Sequence, residues 1–324
     1  MSKVPKPTRR IWESDAALDA QEHQWWNDNA AVVSSVWEMH DEVSRAIRRP
    51  YMNRARGFFQ KSGSVVNVLE LGCGSGWVGQ MIAGPSLNIR GTDFSESQID
   101  LASENASRKN LTRHCTYSVS SPDAPTNTDD IDGVLIHCFL HHLNGKELDG
   151  LLAGLRDNLS PGTKVWICEP AFFLSPGEVV SPRMAIRILL ACASRVTAIL
   201  SWSYSTLSLT DRSVQDRYLP LADQAESEGW YLTPKEVPLD VEGFSVDLER
   251  CFEVRAQYWA TVYFGGWAHQ TNLLRSGTLR QVVIRTVFPF LGFVDRKLSR
   301  ADAYLRSQLV APNYAFHVWE CESK

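Results

Sequence analysis

Residues 65–77 read VVNVLELGCGSGW, an apolar run that leads directly into three glycines at alternate positions. The β-branched residues of the run predict a buried strand. Glycines directly after a strand allow positive φ angles and bring backbone N–H groups to the start of a helix, where they can face a ligand. Because similar loops also bind dinucleotides or form plain turns, this stretch alone does not identify the ligand.

Short apolar runs alternate with amphipathic segments on the C-terminal side of this loop. The alternation predicts a parallel sheet with connecting helices. We therefore expect an α/β, Rossmann-like fold with a mostly parallel seven-stranded sheet and helices on both faces. The predicted strands are 65–72, 87–93, 114–120, 131–139, 163–170, one beginning near 252, and 313–322, and the predicted helices between the first five are 77–84, 95–110 and 145–162.

The pattern divides the chain into four regions. Residues 1–60 are predicted to form a helical lid, in which Trp25 and Trp26 either cover a ligand or belong to the core. Residues 61–170 form the cofactor-binding core, and residues 171–250 a helical cap for the acceptor. Residues 251–324 contain the last strands and an inserted basic amphipathic helix at about 278–308, with a kink at Pro289.

Composition excludes several classes of function. The chain is 44% hydrophobic and 22% charged, with a net charge of −4, which argues against general nucleic-acid binding. The seven cysteines are scattered without a Cys-x-x-Cys pair, so we expect free thiols and no metal site. The first residues are polar and lack a secretory signal, which predicts a cytoplasmic protein and leaves the oligomeric state open.

Two acidic residues favour one cofactor over others. Glu70, at the end of the first strand, would attract the ammonium of a methionyl group and repel a pyrophosphate. Asp93, at the end of the second strand, can accept both hydroxyls of a ribose, and Phe94 can pack beside an adenine. These residues favour S-adenosyl-L-methionine (SAM) over NAD.

Over residues 65–170 the chain resembles the class I SAM-dependent methyltransferases, through the motifs VLELGCGSGW, GTDFS and LHHL. The resemblance implies that the glycine loop lines the methionyl part of SAM and that Asp93 holds the ribose. It implies that a residue after the third strand, Asp123 or Ser121, contacts the adenine. The loop residues concerned are Gly72, Cys73, Gly74 and Gly76.

The carboxyl ends of the fourth and fifth strands should face the same site. His142 and His141 are candidates for the general base that takes a proton from an acceptor hydroxyl. His137 either contacts the cofactor or lies in the core. Glu169 either orients the acceptor or binds the main chain of a turn.

The sequence therefore predicts transfer of a methyl group to a small molecule, most simply at oxygen. The excess of arginine and lysine in the segment 278–308 favours an amphipathic or lipid-linked acceptor and peripheral contact with an anionic membrane, against the alternative of a solvated helix face. Two other functions stay open: a SAM-fold binding or scaffold protein without catalysis, and an NAD-type oxidoreductase.

Overall fold

The computed structural model describes residues 16–37, 52–61, 63–120, 128, 130–172, 224, 227, 233–236, 239–259 and 314–324. Within these residues, none of the helices combines the length and the apolar character needed to cross a bilayer. The predicted amphipathic helix at 278–308 and most of the predicted cap at 171–250 lie outside the described residues.

A single mixed sheet forms the centre of the protein. Its strands are β1 (Val66–Leu71), β2 (Leu87–Asp93), β3 (Cys115–Val119), β4 (Gly133–His137), β5 (Lys164–Phe172), β6 (Leu239–Asp240), β7 (Phe252–Trp259) and β8 (Tyr314–Ser323). The described helices are α1 (Ala16–Trp37), α2 (52–59), α3 (Trp77–Ile82), α4 (Glu96–Arg108), α5 (Gly145–Asn158) and α6 (Val241–Cys251), and a 3₁₀ turn covers Leu140–His142.

The strand order is β3-β2-β1-β4-β5-β8-β7, with the two-residue β6 paired to β5. Strands β1 to β5 are parallel, whereas β8 runs antiparallel to both β5 and β7. The carboxyl ends of β1, β2 and β4 therefore meet at one edge, where the chain reverses its direction of travel across the sheet. In open parallel sheets this edge is where ligands bind.

Burial explains why the central strands form where they do. All five residues of β4 are buried, as are all but one of β1, which is typical of parallel strands covered on both faces. The edge strand β3 buries only Cys115 fully. The two large indoles at the centre of the sheet, Trp166 on β5 and Trp319 on β8, are fully buried and pack into different hydrophobic clusters.

Local capping fixes the helix ends next to the predicted site. Ser95 Oγ accepts a hydrogen bond from the N–H of Gln98 and begins α4. Asn144 and Glu147 form a reciprocal capping box that begins α5 directly after the 3₁₀ turn. The N-terminal turns of both helices are thereby held at the ligand edge of the sheet.

The predicted α/β fold is confirmed. The five strands up to residue 170, the three helices between them and the two later strands all form, and Leu148, Leu152, Leu155 and Leu159 are buried together as their spacing predicts. Of the described cysteines, all are free thiols. Helix α6, whose Phe244 and Leu248 pack on the sheet, lies inside the range that the sequence pattern assigned to a cap.

Candidate active site

The glycine loop makes a tight bend between β1 and α3. Gly72, Gly74 and Gly76 have φ angles of 61°, 52° and 75°, in the left-handed region that favours glycine. A Cβ on Gly72 would lie 2.4 Å from the ring of Phe139, so this position also has no room for a side chain. The N–H of Cys73 donates to the carbonyl of Thr92, which fastens the bend to the end of β2.

Asp93 joins this bend to the start of α4. Its Oδ2 accepts a hydrogen bond of 2.8 Å from the N–H of Gly74, and its Oδ1 accepts one of 3.0 Å from the N–H of Ser95. Burial raises the pKa of this carboxyl, and the hydrogen bonds from Ser95 and Gly74 oppose that rise. The side chain therefore faces the bend, and each oxygen retains a lone pair for a further donor.

Gln98 adds an acceptor that the sequence pattern did not single out. Its side chain is buried beside Gly74, and Oε1 has no hydrogen-bond partner among the described residues. A buried carbonyl oxygen without a donor is costly, typically 1–3 kcal/mol. A ligand rich in hydroxyl and ammonium groups, as SAM is, fits this need. The sequence feature that could have indicated Gln98 is its position three residues after the N-cap Ser95, in the first turn of α4.

Glu70 lies beneath the bend rather than across the cavity from it. Its Oε1 accepts a hydrogen bond of 3.1 Å from the N–H of Gly79, and its Oε2 lies against the same helix without a hydrogen-bond partner among the described residues. Burial is the main reason that the pKa of Glu70 rises to about 8, with a further rise from nearby Asp93. In this arrangement the carboxyl is mainly protonated at pH 7, which differs from the charged group that the sequence pattern suggested.

Glu169 organises the turn that follows β4. Its Oε1 accepts the N–H groups of Phe139 at 2.8 Å and Leu140 at 2.9 Å, and its Oε2 lies 2.7 Å from Nδ1 of His141. The carboxylate is fully buried and does not line the cavity. Of the two roles left open by the sequence, these hydrogen bonds correspond to the one at the main chain of the turn.

The two adjacent histidines of this turn have different partners. His141 is buried, and its Nε2 lies 3.9 Å from a carboxylate oxygen of Glu236. His142 is slightly more exposed, and its Nδ1 lies 2.9 Å from Oε1 of Glu22 on α1. The ring of His142 also packs edge-on against Trp26, with 5.4 Å between ring centroids.

Helix α1 lies across the ends of β2 and β4. Asn27 Oδ1 accepts a hydrogen bond of 2.7 Å from the hydroxyl of Ser95, and His23 packs on the ring of Phe94 with 5.2 Å between centroids. On the far side, Lys235 Nζ donates to Asp19. No motif in α1 indicated these polar contacts, because they depend on residues distant in the sequence.

These elements line one cavity, which is open to solvent. It brings together most of the residues that the sequence predicted for the site. They are Glu70, Gly72, Cys73, Gly74, Asp93, Phe94, His137, His141 and His142. Residues that line it and were not predicted include Trp77, Gln98, Cys138, Phe139, Thr233 and Glu236.

The other predicted residues have separate positions. Gly76 contributes to the bend without lining the cavity, and Ser121 and Asp123 lie outside the described residues. His137 is buried and packs edge-on against Trp77, with 5.1 Å between centroids, and it also borders the cavity. Its two predicted roles are therefore compatible with each other.

Residues 68–162 match the family model of the methyltransferase domain. Over these residues the chain carries a methyltransferase domain. The domain model covers the strands from β1 to the end of α5, and thus the glycine bend, Asp93 and both histidines of the turn. Its methyl donor is SAM, as the residues predicted.

Two curated relatives share the methyltransferase domain over short stretches. An uncharacterized methyltransferase of Schizosaccharomyces pombe is 26% identical over 125 residues, and a malonyl-[acyl-carrier protein] O-methyltransferase of Bacillus cereus is 30% identical over 89 residues. The matches cover 36% and 27% of this chain and 43% and 32% of those proteins, so they span less than half of either relative.

A solved structure is similar to this chain in its fold. The [4+2]-cyclase SpnF matches with a TM-score of 0.55 over 97% of this chain and 98% of its own, at 12% sequence identity. This likeness concerns the fold. Since a cyclase shares it, the reaction has to be argued from the site.

Proposed function

We propose that the protein transfers the methyl group of SAM to an oxygen atom of a small molecule. The observation that carries the proposal is that Asp93, hydrogen-bonded to the glycine bend, lines the same cavity as the imidazole of His142. A cofactor held by Asp93 and an acceptor next to His142 would meet within this one cavity. Effective molarities of about 10⁵ M or more result when reactants are aligned in this way.

The cofactor would be held by residues of β1, β2 and α4. Asp93 has lone pairs available for the two ribose hydroxyls, and Gln98 Oε1 is available for another donor. Gly72 and Gly74 leave room for the methionyl part against the backbone, and Phe94 offers a ring to the adenine. When bound, SAM supplies a methyl group on a positively charged sulfur, so the protein needs mainly to align and desolvate the reactants.

The acceptor would bind where the turn after β4 faces α1. An acceptor hydroxyl has to lose its proton as the oxygen–methyl bond forms, and a neutral imidazole is a suitable base near pH 7. His142 fits this role better than His141, whose buried ring has Glu169 at Nδ1 and Glu236 3.9 Å from Nε2. The name of the Bacillus cereus relative, an O-methyltransferase, supports oxygen as the methylated atom.

Aromatic lining supports an acceptor with an apolar part. Trp26, Trp77 and Phe139 border the cavity, and aromatic walls with a few polar groups are typical of small-molecule sites. The sequence of 278–308 supports an amphipathic or lipid-linked acceptor and contact with an anionic membrane. Sedimentation with liposomes that contain anionic lipid tests the membrane contact. If the protein does not sediment with the liposomes, the proposed contact is refuted. A cytoplasmic location remains part of the proposal, and fractionation of cells tests it.

Isothermal titration calorimetry with SAM and with NAD tests the cofactor. We expect binding of SAM, with NAD binding at least tenfold weaker; the reverse order would favour the oxidoreductase. Incubation with methyl-labelled SAM and a cell extract, followed by mass spectrometry, then identifies an acceptor that gains a methyl group. Retention of SAM without any labelled product in such extracts would favour a binding or scaffold function.

A further inference from the structure

Glu22 on α1 collects four hydrogen-bond donors beside the cavity. Its Oε1 accepts from the indole N–H of Trp26 at 2.8 Å and the hydroxyl of Thr233 at 2.9 Å, and it lies 2.9 Å from Nδ1 of His142. Its Oε2 accepts from the backbone N–H of Lys235 at 2.9 Å. These four donors come from three separate parts of the chain.

These contacts determine the charge of Glu22. Burial alone would raise the pKa of this carboxyl, but the hydrogen bond and charge of His142, with the N–H groups of Lys235 and Trp26, lower it below its ordinary value. Glu22 is therefore ionised at neutral pH. An ionised carboxylate can only accept hydrogen bonds.

The tautomer of His142 follows from this restriction. Glu22 has no proton to donate, and the hydroxyl of Thr233, 3.2 Å from Nδ1, gives its hydrogen to Oε1 of Glu22. The hydrogen of the 2.9 Å contact must therefore be on Nδ1 of the imidazole. A neutral ring with its hydrogen on Nδ1 has its lone pair on Nε2. Within the part of the chain that the structure describes, Nε2 of His142 has no hydrogen-bond partner, and the ring lines the cavity.

We infer that Glu22 is the positioning residue for His142: it holds the hydrogen on Nδ1, so that Nε2 can take the proton of an acceptor hydroxyl. This inference rests on the proposed function. The proton moves from the acceptor oxygen to Nε2, and the resulting imidazolium forms an ion pair with Glu22. The general base is therefore complete only when α1, which carries Glu22, packs against the turn after β4, which carries His142.

The first test reads the tautomer directly. Protein labelled with ¹⁵N in its histidines is examined by long-range ¹H–¹⁵N correlation NMR, and His142→Gln identifies the signals of this ring. We expect the neutral ring of His142 to have a protonated Nδ1 and an unprotonated Nε2. A neutral ring with its hydrogen on Nε2 overturns the inference, whatever any variant does.

The second test removes the charge of the carboxylate. In Glu22→Gln we expect the share of the Nδ1–H tautomer of His142 to fall at least twofold. The matched control is Asp19→Asn, which removes a carboxylate from the same helix that also bonds Lys235 but does not touch His142. An equal change of tautomer in both variants would mean that Glu22 only docks α1, and this would overturn the inference. If Glu22→Gln does not fold, the tautomer of His142 measured in the wild-type protein alone supports or overturns the inference.

Calorimetry with SAM on the same samples separates the inference from the proposed function. Loss of SAM binding in the wild type would refute the function, whereas the tautomer is read without any ligand. With an identified acceptor, Glu22→Gln should lower kcat on the order of 10²-fold with KM changed less than about threefold, the range of a general base that has lost its orientation. A change in KM alone would contradict the role.

Discussion

The carboxylate of Asp93 accepts a hydrogen bond of 2.8 Å from the backbone N–H of Gly74, so the end of β2 and the bend after β1 are joined at the cavity. One side chain thereby connects two predicted parts of the cofactor site. Loss of its charge should affect the shape of the bend and the binding of a ribose together.

Asp93→Asn should weaken SAM binding by about 10- to 100-fold, since hydrogen bonds to charged groups contribute about 1.5–3 kcal/mol each. Isothermal titration calorimetry measures this affinity. The control is Asp157→Asn, which neutralises an exposed carboxylate of α5 paired with Arg156 and should leave the affinity unchanged. Wild-type affinity in Asp93→Asn would contradict the assigned contact.

Gly72→Ala should destabilise the protein by about 2 kcal/mol or more, because φ is 61° and the new methyl would lie 2.4 Å from Phe139. Denaturant unfolding measures the change. Gly150→Ala is the matched control, since apart from the adjoining backbone of α5 no atom lies within 4 Å of that Cβ position. There we expect a gain of about 0.5–1 kcal/mol from helix propensity. Equal effects of the two substitutions would refute the steric explanation.

Glu70 predicts a pH dependence of stability. Its pKa rises in the folded protein from 4.5 to about 8, so between these values the folded state binds more protons than the unfolded state. Stability contributed by the protonated form is full below pH 4.5 and is lost as the pH rises through 8, with a slope of up to ~1.4 kcal/mol per pH unit.

Glu70→Gln should remove this slope and become more stable than the wild type at pH 9, as measured by denaturant unfolding from pH 5 to 9. Glu104→Gln on the exposed face of α4 serves as the control, and its profile should follow the wild type. Parallel profiles of wild type and Glu70→Gln would show that Glu70 ionises normally.

Glu169→Gln should cost about 3 kcal/mol of stability, because an amide has only one acceptor oxygen. If that oxygen keeps the N–H groups of Phe139 and Leu140, the NH₂ group replaces Oε2 and faces the N–H of His141, and the charged contact with Nδ1 of His141 is lost. Thermal unfolding measures the loss, and Glu249→Gln at an exposed position of α6 should change stability by less than about 0.5 kcal/mol. An unaltered melting temperature for Glu169→Gln would mean that the turn does not depend on the carboxylate.

The strands and the cofactor loop were predictable because their signals are local. A β-branched run before alternating glycines specifies β1 and the bend without reference to the rest of the chain, and Asp93 follows from its place at the end of the next run. Glu22 and Thr233 were not predictable. Their role depends on contacts with His142 at sequence separations of 120 and 91 residues, which no periodic pattern encodes.

The roles of Glu70 and Glu169 show a second limit of sequence patterns. Both residues were correctly placed at strand ends, but the sequence did not show toward which side each carboxyl turns. Burial and backbone N–H groups decide this: Gly79 attracts one carboxyl beneath α3, and Phe139 and Leu140 attract the other into the turn. These backbone N–H groups can be identified as the partners of the two carboxyls only from the three-dimensional structure.

The position of β8 imposes an order of assembly. Strand β7 ends more than 50 residues before β8 begins, and among the described strands it joins the sheet through β8, which lies between it and β5. Until residues 314–323 have left the ribosome, β5 and β7 both have open edges, which are sites of aggregation. A chain that lacks β8 cannot join β7 to β5, and the exposed edges of both strands are then open to pairing with other chains.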